Sequence, residues 1–323
     1  MEKDTARQVD ISVVVPFFNE QENAQLLYSK LTEVLGKLHQ RYELIFIDDG
    51  SKDRTYSILK DIFEKDPLVK VLRLRRNFGQ TAALAAGFDS TKGTVVIAMD
   101  GDLQHDPQDI PKLMEKINQG FDIASGWRER RVDAFLTRRL PSMVANKLMA
   151  ILSGVKLHDF GTTFKAYRKE VIEDVELYGE LHRFIPALIS WKGVSIAEVP
   201  IKNTVRKKGK SNYGLSRTFR VILDLILVKY LISYSKKPLQ FFGLFGLFLS
   251  FLGMALGVYL LVKKFIFNTA IMVSHGPLMI TVVLMIVIGI QSITFGLLAE
   301  MLTRIYHRSA GAKIYSISER LER

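Results

Sequence analysis

The stretch TVVIAMDGDLQHDP, residues 94–107, combines a strand signal with a cluster of carboxylates. Residues 95–99 are all apolar and include three β-branched side chains, which predicts a short buried strand. Asp100 and Asp102 follow directly, and Gly101 between them permits a tight turn. In open α/β sheets, ligands bind beyond the carboxyl ends of the strands. Because oxygen ligands suit hard cations, the two carboxylates predict a Mg²⁺ or Mn²⁺ site there.

This motif has two other interpretations. An Asp-Gly-Asp run is also typical of an ordinary polar turn, so the motif alone leaves both interpretations open. An EF-hand calcium loop is excluded, because the sixth position from Asp100 is His105 rather than Gly. The twelfth position is Pro111 rather than the bidentate Glu that such a loop requires.

The chain before and after this stretch alternates between strand and helix signals. Strands are predicted at 11–15, 43–47, 69–74 and 95–99, and helices at 20–38, 53–63 and 79–91. This order is typical of a βαβ series, which predicts an α/β fold with a mostly parallel, helix-covered sheet. The loops PFFNE (16–20) and DDGSKD (48–53) follow two of these strands, and Asp53 is a candidate helix cap. With the Asp-Gly-Asp loop they form an acidic edge that suits a metal and a nucleotide.

Several common features are excluded or disfavoured by the composition and motifs of the chain. The chain has no Cys, so disulfides and thiolate metal sites are ruled out. The charged N-terminus and the apolar run that stops at Pro16 do not resemble a signal peptide. No G-x-G-x-x-G follows the first strand, which disfavours an NAD site. Gly209-Lys210-Ser211 imitates the end of a P-loop, but Thr204 occupies the place of its first Gly.

The distribution of charge points to a membrane. The net charge is +12, and residues 202–237 contain ten Lys or Arg against one acid. Two uncharged apolar segments follow, at 238–262 and 277–299, and each is long enough to span a bilayer as a helix. Since ten Lys or Arg precede this pair and five follow it, whereas only two Lys lie between the two segments, both chain ends are predicted to be cytoplasmic. The basic block then suits an anionic lipid surface, and nucleic acid is not an expected partner.

Two further segments combine basic and apolar residues at helical spacing. They cover residues 133–152 and 213–235, and both patterns are typical of helices lying on a membrane surface. A helix packed on the protein is the alternative for the first. In the first apolar span, Gly253 and Gly257 have the small-xxx-small spacing that permits close helix packing. Homo-oligomer formation is therefore left open.

Several ordered motifs of this chain resemble those of family 2 glycosyltransferases. They are PFFNEQEN, IDDGSKDRT, RRNFGQTAALAAGFDSTKG and MDGDLQHDP. SGWRERR, HDFGTTFKAYR, ELHRFIPAL and RKKGKSNYG, followed by two spans, resemble the polyprenyl-phosphate branch, which includes dolichol-phosphate mannosyltransferase and bactoprenol glucosyltransferases. The resemblance covers essentially the whole chain and implies a GT-A, Rossmann-like catalytic domain.

The resemblance also implies a division of the chain. Residues 1–210 are predicted to form the GT-A domain, with an interfacial helix at about 133–152, and 211–236 a juxtamembrane amphipathic helix. Residues 237–303 are predicted to hold the two transmembrane helices, and 304–323 a basic cytoplasmic tail. The expected location is the bacterial inner membrane, with the catalytic domain in the cytoplasm.

Site residues are carried over motif by motif. The residues expected to bind the donor nucleotide are Pro16, Asn19, Glu20, Asp48, Gln80, Asp100, Gln104 and Arg206, with Lys208 and Lys210 as helpers. The metal ligands expected from the resemblance are Asp100, Asp102 and Gln104. The residues expected to bind the acceptor phosphate are Arg128, Arg138 and Ser142. A helix N-cap is the alternative role for Gln80.

The predicted reaction is an inverting, metal-dependent transfer of a hexose from a nucleotide diphosphosugar to polyprenyl phosphate. UDP-glucose and undecaprenyl phosphate are the expected substrates; mannose from GDP-mannose and the aminated or amidated sugars of other branches are alternatives. Asp102, Asp159, Arg128 and Arg138 are the predicted catalytic residues. Asp159 invites assignment as a general base, but a phosphate monoester with a second pKa of about 6 is already nucleophilic at neutral pH. Asp159 could instead orient the sugar or an Arg, and the role of His182-Arg183 is open.

Two rival functions were considered. A processive polysaccharide synthase is disfavoured, because the Q-x-x-R-W motif is absent and two spans leave little room for a polymer channel. A membrane-anchored nucleotide sensor would bind nucleotide without turnover, and it leaves Arg128 and Arg138 without a role.

Overall fold

The computed structural model describes residues 9–128, 146, 149–151, 153–173, 175, 177, 181–190, 193–202, 238–267, 275–308 and 313–323. The chain forms two compact units. One comprises Met1–Val228 together with Lys313–Arg323, and the other comprises Lys229–Ala312.

The first unit is built on one eight-stranded sheet. Its strands are β1 (Ile11–Phe17), β2 (Tyr42–Asp48), β3 (Val69–Leu74), β4 (Val95–Ala98), β5 (Ile123–Trp127), β6 (Lys165–Arg168), β7 (Ile196–Pro200) and β8 (Ile317–Leu321). The spatial order is β7-β5-β6-β4-β1-β2-β3-β8. The strands from β4 to β3 in this order are parallel, as are β5 and β7, whereas β6 and β8 run antiparallel to their neighbours. The predicted mostly parallel α/β sheet is confirmed.

Helices cover both faces of this sheet. They are α1 (Ala24–Gly36), α2 (Thr55–Lys65), α3 (Gln80–Phe88), α4 (Ile110–Asn118), α5 (Lys169–Ile172) and α6 (Ile185–Ile189), with 3₁₀ turns at Pro107–Asp109 and Leu181–Phe184. Side chains alternate along β1, so that Val13 and Val15 pack with α1, α2 and α4 while Val14 packs with α3 and α6. Because both faces are buried, the central strands are predominantly apolar.

The order of the strands determines where a ligand can bind. The chain proceeds from β1 to β2 and β3 on one side, and then returns to place β4 on the other side of β1. Such a reversal opens a crevice beyond the carboxyl ends of the two strands. The loop after β1 and the Asp-Gly-Asp loop after β4 therefore flank one crevice.

The second unit contains two long helices, α7 (Pro238–Phe267) and α8 (Gly276–Arg308). Within them, Leu239–Ile266 and Gly276–Ala299 are 28 and 24 residues long with mean hydropathies of 2.2 and 2.4, so both could cross a membrane. A Cβ on Gly253 would lie 3.0 Å from Ile286 of α8, and one on Gly257 would lie 3.3 Å from Val282. The small-residue face of α7 is thus used for packing within the chain, and self-association stays a prediction.

Strand β8 is not among the strands predicted from the sequence. Residues 304–323 were expected to be a basic tail, and within them Ile317–Leu321 pairs antiparallel with β3. Tyr315 anchors this segment by donating a hydrogen bond from its hydroxyl to Asp89 at 2.7 Å. The proposed domain boundaries are otherwise untested, and most of the amphipathic segment 133–152 and all of 211–236 lie outside the described residues.

Candidate active site

The Asp-Gly-Asp loop leaves β4 at the crevice. The side chain of Asp100 is 26% exposed, and its Oδ1 accepts a hydrogen bond of 2.5 Å from Nε2 of Gln80 at the start of α3. A Cβ on Gly101 would lie 2.6 Å from the ring of Phe17 and 2.9 Å from the carbonyl oxygen of Pro16. Only glycine fits where this loop crosses the end of β1.

Gln104 holds Asp102 from two directions. Its backbone N–H donates to Oδ1 at 3.1 Å and its Nε2 donates to Oδ2 at 2.8 Å. In this geometry the amide of Gln104 orients the second carboxylate of the motif. Its predicted roles as a metal ligand and a donor contact stay predictions.

The two carboxylates suit a hard divalent cation. Among the described residues no group of three or more His, Asp or Glu side chains could hold a metal ion. Mg²⁺, however, is commonly held by one or two carboxylates, with water and substrate phosphates completing its shell. Asp100 and Asp102 provide those two carboxylates at an open crevice, so the residues fit such an ion.

Burial affects two ionisable groups of this loop. It raises the pKa of Asp100, against the lowering influence of a hydrogen bond with Thr163 and of nearby Arg128. It lowers the pKa of His105 to about 4, so this imidazole is neutral at physiological pH. His105 stacks on Phe164 with ring centroids 5.5 Å apart, and its Nε2 lies 3.2 Å from the hydroxyl of Thr162.

The loops after β1 and β2 are tied together by polar contacts. The backbone N–H of Asn19 donates to Ser51 Oγ at 3.0 Å, and Asn19 Oδ1 accepts from the N–H of Lys52 at 2.9 Å. The Glu20 carboxylate accepts a hydrogen bond from Asn23 at 2.5 Å. Pro16 lies at the end of β1, beside Gly101. These residues, which are predicted to bind the donor nucleotide, therefore lie in adjacent loops at the same edge of the sheet.

Asp48, the last residue of β2, and Asp49, which follows it, have different partners. Asp48 is fully buried; it accepts from the N–H of Ser51 at 3.2 Å and lies 3.5 Å from Nε of Arg73. Burial raises its pKa. Asp49 is not among the site residues predicted from the sequence. The Asp49 carboxylate accepts hydrogen bonds of 2.8–2.9 Å from Asn77 Nδ2 and from the N–H groups of Phe78 and Gly79.

Asp49 thereby sets the start of α3. Gly79, at φ 94°, is the N-cap residue, and Gln80 is the first helical residue. The Gln80 side chain does not cap the helix but reaches Asp100 and Thr163. The Asp53 carboxylate, a predicted cap, accepts from the N–H of Thr55 at 3.0 Å.

Arg128 and Asp159 form a bidentate ion pair. Nε of Arg128 donates to Asp159 Oδ2 at 2.7 Å, and Nη2 donates to Oδ1 at 3.0 Å. The aspartate is 2% exposed and also accepts from the N–H of Gly161 at 3.1 Å. Both carboxylate oxygens are thus engaged, and Asp159 fixes the plane of the guanidinium.

Other predicted residues lie outside the described part of the chain: Arg138, Ser142, Arg206, Lys208 and Lys210. His182 is buried, with Nδ1 2.7 Å from the hydroxyl of Thr81 on α3. Thr162 and Thr163 are likewise absent from the site residues predicted from the sequence. Gln80 and Thr163 are 83 positions apart, and no local pattern indicates that their side chains meet.

Comparison with known proteins identifies the family. A model described as Glycosyl transferase family 2 matches residues 12–176, about half of the chain, including the Asp-Gly-Asp loop and the Arg128–Asp159 pair. The chain belongs to glycosyl transferase family 2. It is a glycosyltransferase of the polyprenyl-phosphate branch, as the sequence motifs predicted.

Two relatives match this glycosyltransferase over most of their length. Dodecaprenyl-phosphate galacturonate synthase of Rhizobium johnstonii is 39% identical over 320 residues, which cover 98% of this chain and 94% of the relative. Undecaprenyl-phosphate 4-deoxy-4-formamido-L-arabinose transferase of Edwardsiella ictaluri is 33% identical over 299 residues, covering 92% and 90%.

The solved structures that match confirm the GT-A fold. Glucosyl-3-phosphoglycerate synthase from Mycobacterium tuberculosis, determined with Mn²⁺ and UDP-glucose, aligns with a TM-score of 0.53 and 19% identity. The alignment covers 68% of this chain and 79% of that one. At this identity the likeness concerns the fold alone.

Proposed function

We propose that this glycosyltransferase moves a sugar from a nucleotide diphosphosugar to the phosphate of a polyprenyl phosphate at the cytoplasmic leaflet. The observation that carries this proposal is the proximity, within the first unit, of a pair of carboxylates and an oriented arginine. The Asp100–Asp102 carboxylates are linked through Gln80 and Thr163 to the segment that contains Asp159, the partner of Arg128. Carboxylates suit a metal-bound diphosphate, whereas an oriented arginine suits a phosphate acceptor.

The donor is assigned to the crevice between the loops after β1, β2 and β4. Pro16, Asn19, Glu20 and Asp48 would bind the nucleoside. A divalent ion held by Asp100 and Asp102 would neutralise charge on the departing diphosphate. Gln80 keeps Asp100 in place, and Gln104 does the same for Asp102. Arg206, outside the described residues, is proposed to close on the diphosphate.

The acceptor phosphate is assigned to Arg128, with Arg138 and Ser142 as further contacts. An acceptor oxygen attacks the anomeric carbon while the bond from that carbon to the diphosphate oxygen breaks, and the electron pair leaves with the nucleoside diphosphate. No proton has to be removed first, because the second pKa of a phosphate monoester is about 6. Asp159 is therefore proposed to position Arg128 rather than to act as a base.

The donor sugar is proposed to be a hexuronate rather than glucose. The relative that matches nearly the whole chain at 39% identity is named for galacturonate, and the next is named for a formamido-arabinose. UDP-glucose, the sequence-based expectation, and GDP-mannose remain the comparison donors. To test this assignment, the enzyme is given undecaprenyl phosphate, Mg²⁺ or Mn²⁺, and one labelled donor at a time. The donors are UDP-galacturonate, UDP-4-deoxy-4-formamido-L-arabinose, UDP-glucose and GDP-mannose. The lipid product is identified by mass.

One sugar residue per lipid, with a strong preference for UDP-galacturonate, is the expected result. Absence of any lipid-linked sugar would overturn the proposed activity, and products with several sugars would favour a processive synthase. Asp102→Asn should lower kcat by about 10²–10³-fold, since it weakens the binding of the divalent ion whose charge would stabilise the transition state. Asp106→Asn is the matched control, because Asp106 caps the 3₁₀ turn Pro107–Asp109 of the same segment. Full activity in Asp102→Asn would contradict the metal site.

A further inference from the structure

Lys165 is a fully buried cation that the proposed reaction does not use. It begins β6 with no exposed surface, and its ammonium donates hydrogen bonds to the carbonyl oxygens of Phe160, at 3.2 Å, and Thr162. Burial lowers its pKa to about 8, with Asp159 and Asp100 favouring the charged form and Arg128 and Arg183 opposing it. Burying an ammonium group is unfavourable unless it is well hydrogen-bonded. A buried lysine at this position is therefore costly to keep.

The segment that Lys165 binds, residues 159–164, contacts three parts of the candidate site. Asp159 holds Arg128 in the bidentate pair. Thr162 lies 3.2 Å from His105, which follows the Asp-Gly-Asp motif. Thr163 accepts a hydrogen bond of 3.1 Å from Nε2 of Gln80, the same nitrogen that donates to Asp100.

These contacts join the two substrate sides through one short segment. Asp159 lies on the side assigned to the acceptor, while Thr162 and Thr163 lie on the side assigned to the metal. The segment is irregular, and the carbonyl groups of Phe160 and Thr162 accept hydrogen bonds from the Lys165 ammonium, while that of Phe164 accepts from the N–H of Gly126 on β5 at 3.0 Å. Because buried carbonyls need partners, the ammonium supplies the donor that the carbonyls of Phe160 and Thr162 would otherwise need from a neighbouring strand.

We propose that Lys165 is a positioning residue that holds segment 159–164 in the conformation that places Arg128 and Asp100 for the same reaction. The inference rests on the proposed function. It predicts that Lys165 affects turnover and the order of this segment, but not nucleoside binding, which involves the loops after β1 and β2. Small displacements of positioning groups reduce catalysis by up to about 10²-fold.

The first test compares Lys165→Met with the wild-type full chain in detergent micelles. We expect kcat to fall at least tenfold while the Kd for uridine, which lacks the diphosphate assigned to the Asp100 side, stays within threefold. Lys70→Met is the matched control, because Lys70 is 7% exposed in the same sheet but pairs with Glu43 at the opposite, amino-terminal ends of the strands. Lys70→Met should lose stability and keep its kcat. A fall of less than tenfold for Lys165→Met, or an equal fall for both variants, overturns the proposal.

The second test needs no turnover and stands even if the proposed function fails. Hydrogen–deuterium exchange of Lys165→Met should increase in residues 159–164 and stay unchanged in β1 and β2. Unchanged exchange in 159–164 overturns the inference, whereas failure of the wild-type enzyme to form a lipid-linked sugar overturns only the proposed function. Should Lys165→Met not fold, Thr163→Val, nearly equal in volume, replaces it and removes the hydroxyl that Gln80 contacts. Its kcat should fall at least tenfold at unchanged uridine affinity, and a smaller fall overturns the proposal.

Discussion

At the scale of single residues, carboxylates of the same type have different tasks because their partners differ. Asp102 is oriented by Gln104 at the crevice, whereas both oxygens of Asp159 are engaged by Arg128. Asp49 accepts hydrogen bonds from residues 77–79 and so supports the start of α3. The carboxylate of Asp159 is a poor proton acceptor, because its charged partner Arg128 favours the ionised form.

The Arg128–Asp159 pair makes a prediction that separates orientation from base catalysis. Asp159→Asn and Arg128→Lys should both lower kcat/KM for the acceptor, by about 10–100-fold, because each removes the bidentate contact. If Asp159 only orients Arg128, the pH–rate profile of Asp159→Asn keeps its acidic limb. Kinetics between pH 5 and 9 with purified variants measure both quantities.

Arg168→Lys is the control for this pair. Arg168 lies at the far end of β6, 3.8 Å from Asp122, and its substitution should leave acceptor kinetics unchanged. Loss of the acidic limb in Asp159→Asn alone would instead assign Asp159 as the general base.

At the scale of elements, the sheet holds a buried polar network at the end opposite the crevice. Glu43 of β2 lies 2.6 Å from Nζ of Lys70 on β3 and accepts a hydrogen bond of 2.5 Å from Ser12 on β1. The N–H of Lys92 also donates to this carboxylate, at 2.6 Å. These contacts join three parallel strands and the turn before β4 at the ends remote from the reaction.

This network predicts a pH dependence of stability. Burial raises the pKa of Glu43, but the hydrogen bonds from Lys70, Ser12 and Lys92 outweigh it, so the pKa is lowered from its usual 4.5. The contribution of Glu43 is therefore fully present above pH 4.5 and is lost as the pH falls through the lower folded-state value. Glu43→Gln should lower the unfolding free energy at pH 7 by about 3–5 kcal/mol, because it leaves Lys70 buried without its partner.

Denaturant unfolding between pH 3 and 7 measures this effect. Glu33→Gln is the control, since Glu33 pairs with Lys37 on the exposed surface of α1, where ion pairs contribute little. Equal loss of stability in the two variants at pH 7 would contradict a special role for the buried pair.

The C-terminal strand β8 completes the edge of the sheet. Besides pairing with β3, it donates from Ser318 Oγ to the carbonyl of Arg73 at 3.0 Å, and the N–H of Arg75 donates to Ser316 at 2.9 Å. Arg73 in turn lies beside Asp48 and over the ring of Tyr56, 4.1 Å from its centroid. Strand β8 therefore covers the edge of β3 and supports Arg73, which contacts Asp48, a residue predicted to bind the nucleoside.

Removal of residues 313–323 should expose the edge of β3 and weaken nucleotide binding. We expect a lower Tm, because the paired backbone groups lose their partners, and a raised tendency to aggregate through the open edge. Thermal unfolding and UDP titration of the purified truncated chain test this. A chain ending at Leu321, which keeps all of β8, is the control; identical behaviour of the two truncations would contradict a role for the strand.

At the scale of the whole molecule, the course of the chain limits the membrane topology. The chain leaves the first unit before the two apolar helices and returns to it afterwards as β8. A pair of crossings keeps both ends of the segment on one side of a bilayer. This connectivity agrees with the excess of basic residues on either side of the helix pair.

Labelling of single cysteines tests the topology directly. The chain has no Cys, so the unmodified protein is its own control for background labelling. His275→Cys, in the connection between α7 and α8, should react with a membrane-impermeant maleimide in intact bacterial cells. Glu322→Cys, next to β8, should react only after lysis. Labelling of both positions in intact cells would overturn the predicted orientation.

The sequence by itself determined the βαβ order, the Asp-Gly-Asp loop and the two apolar helices. All three depend on local properties, namely the spacing of apolar residues, a strand followed directly by carboxylates, and runs of uncharged residues. The resemblance of several motifs to family 2 glycosyltransferases supplied the family.

Only the tertiary structure decided which of these residues act together. Gln80 meets Thr163 across 83 positions, and Ser318 meets Arg73 across 245, because the sheet order brings their strands and loops side by side. No local sequence signal indicated that Lys165 is buried, since a single lysine at the start of a strand is as consistent with exposure as with burial. Such contacts depend on strand order and register, and these are properties of the whole fold.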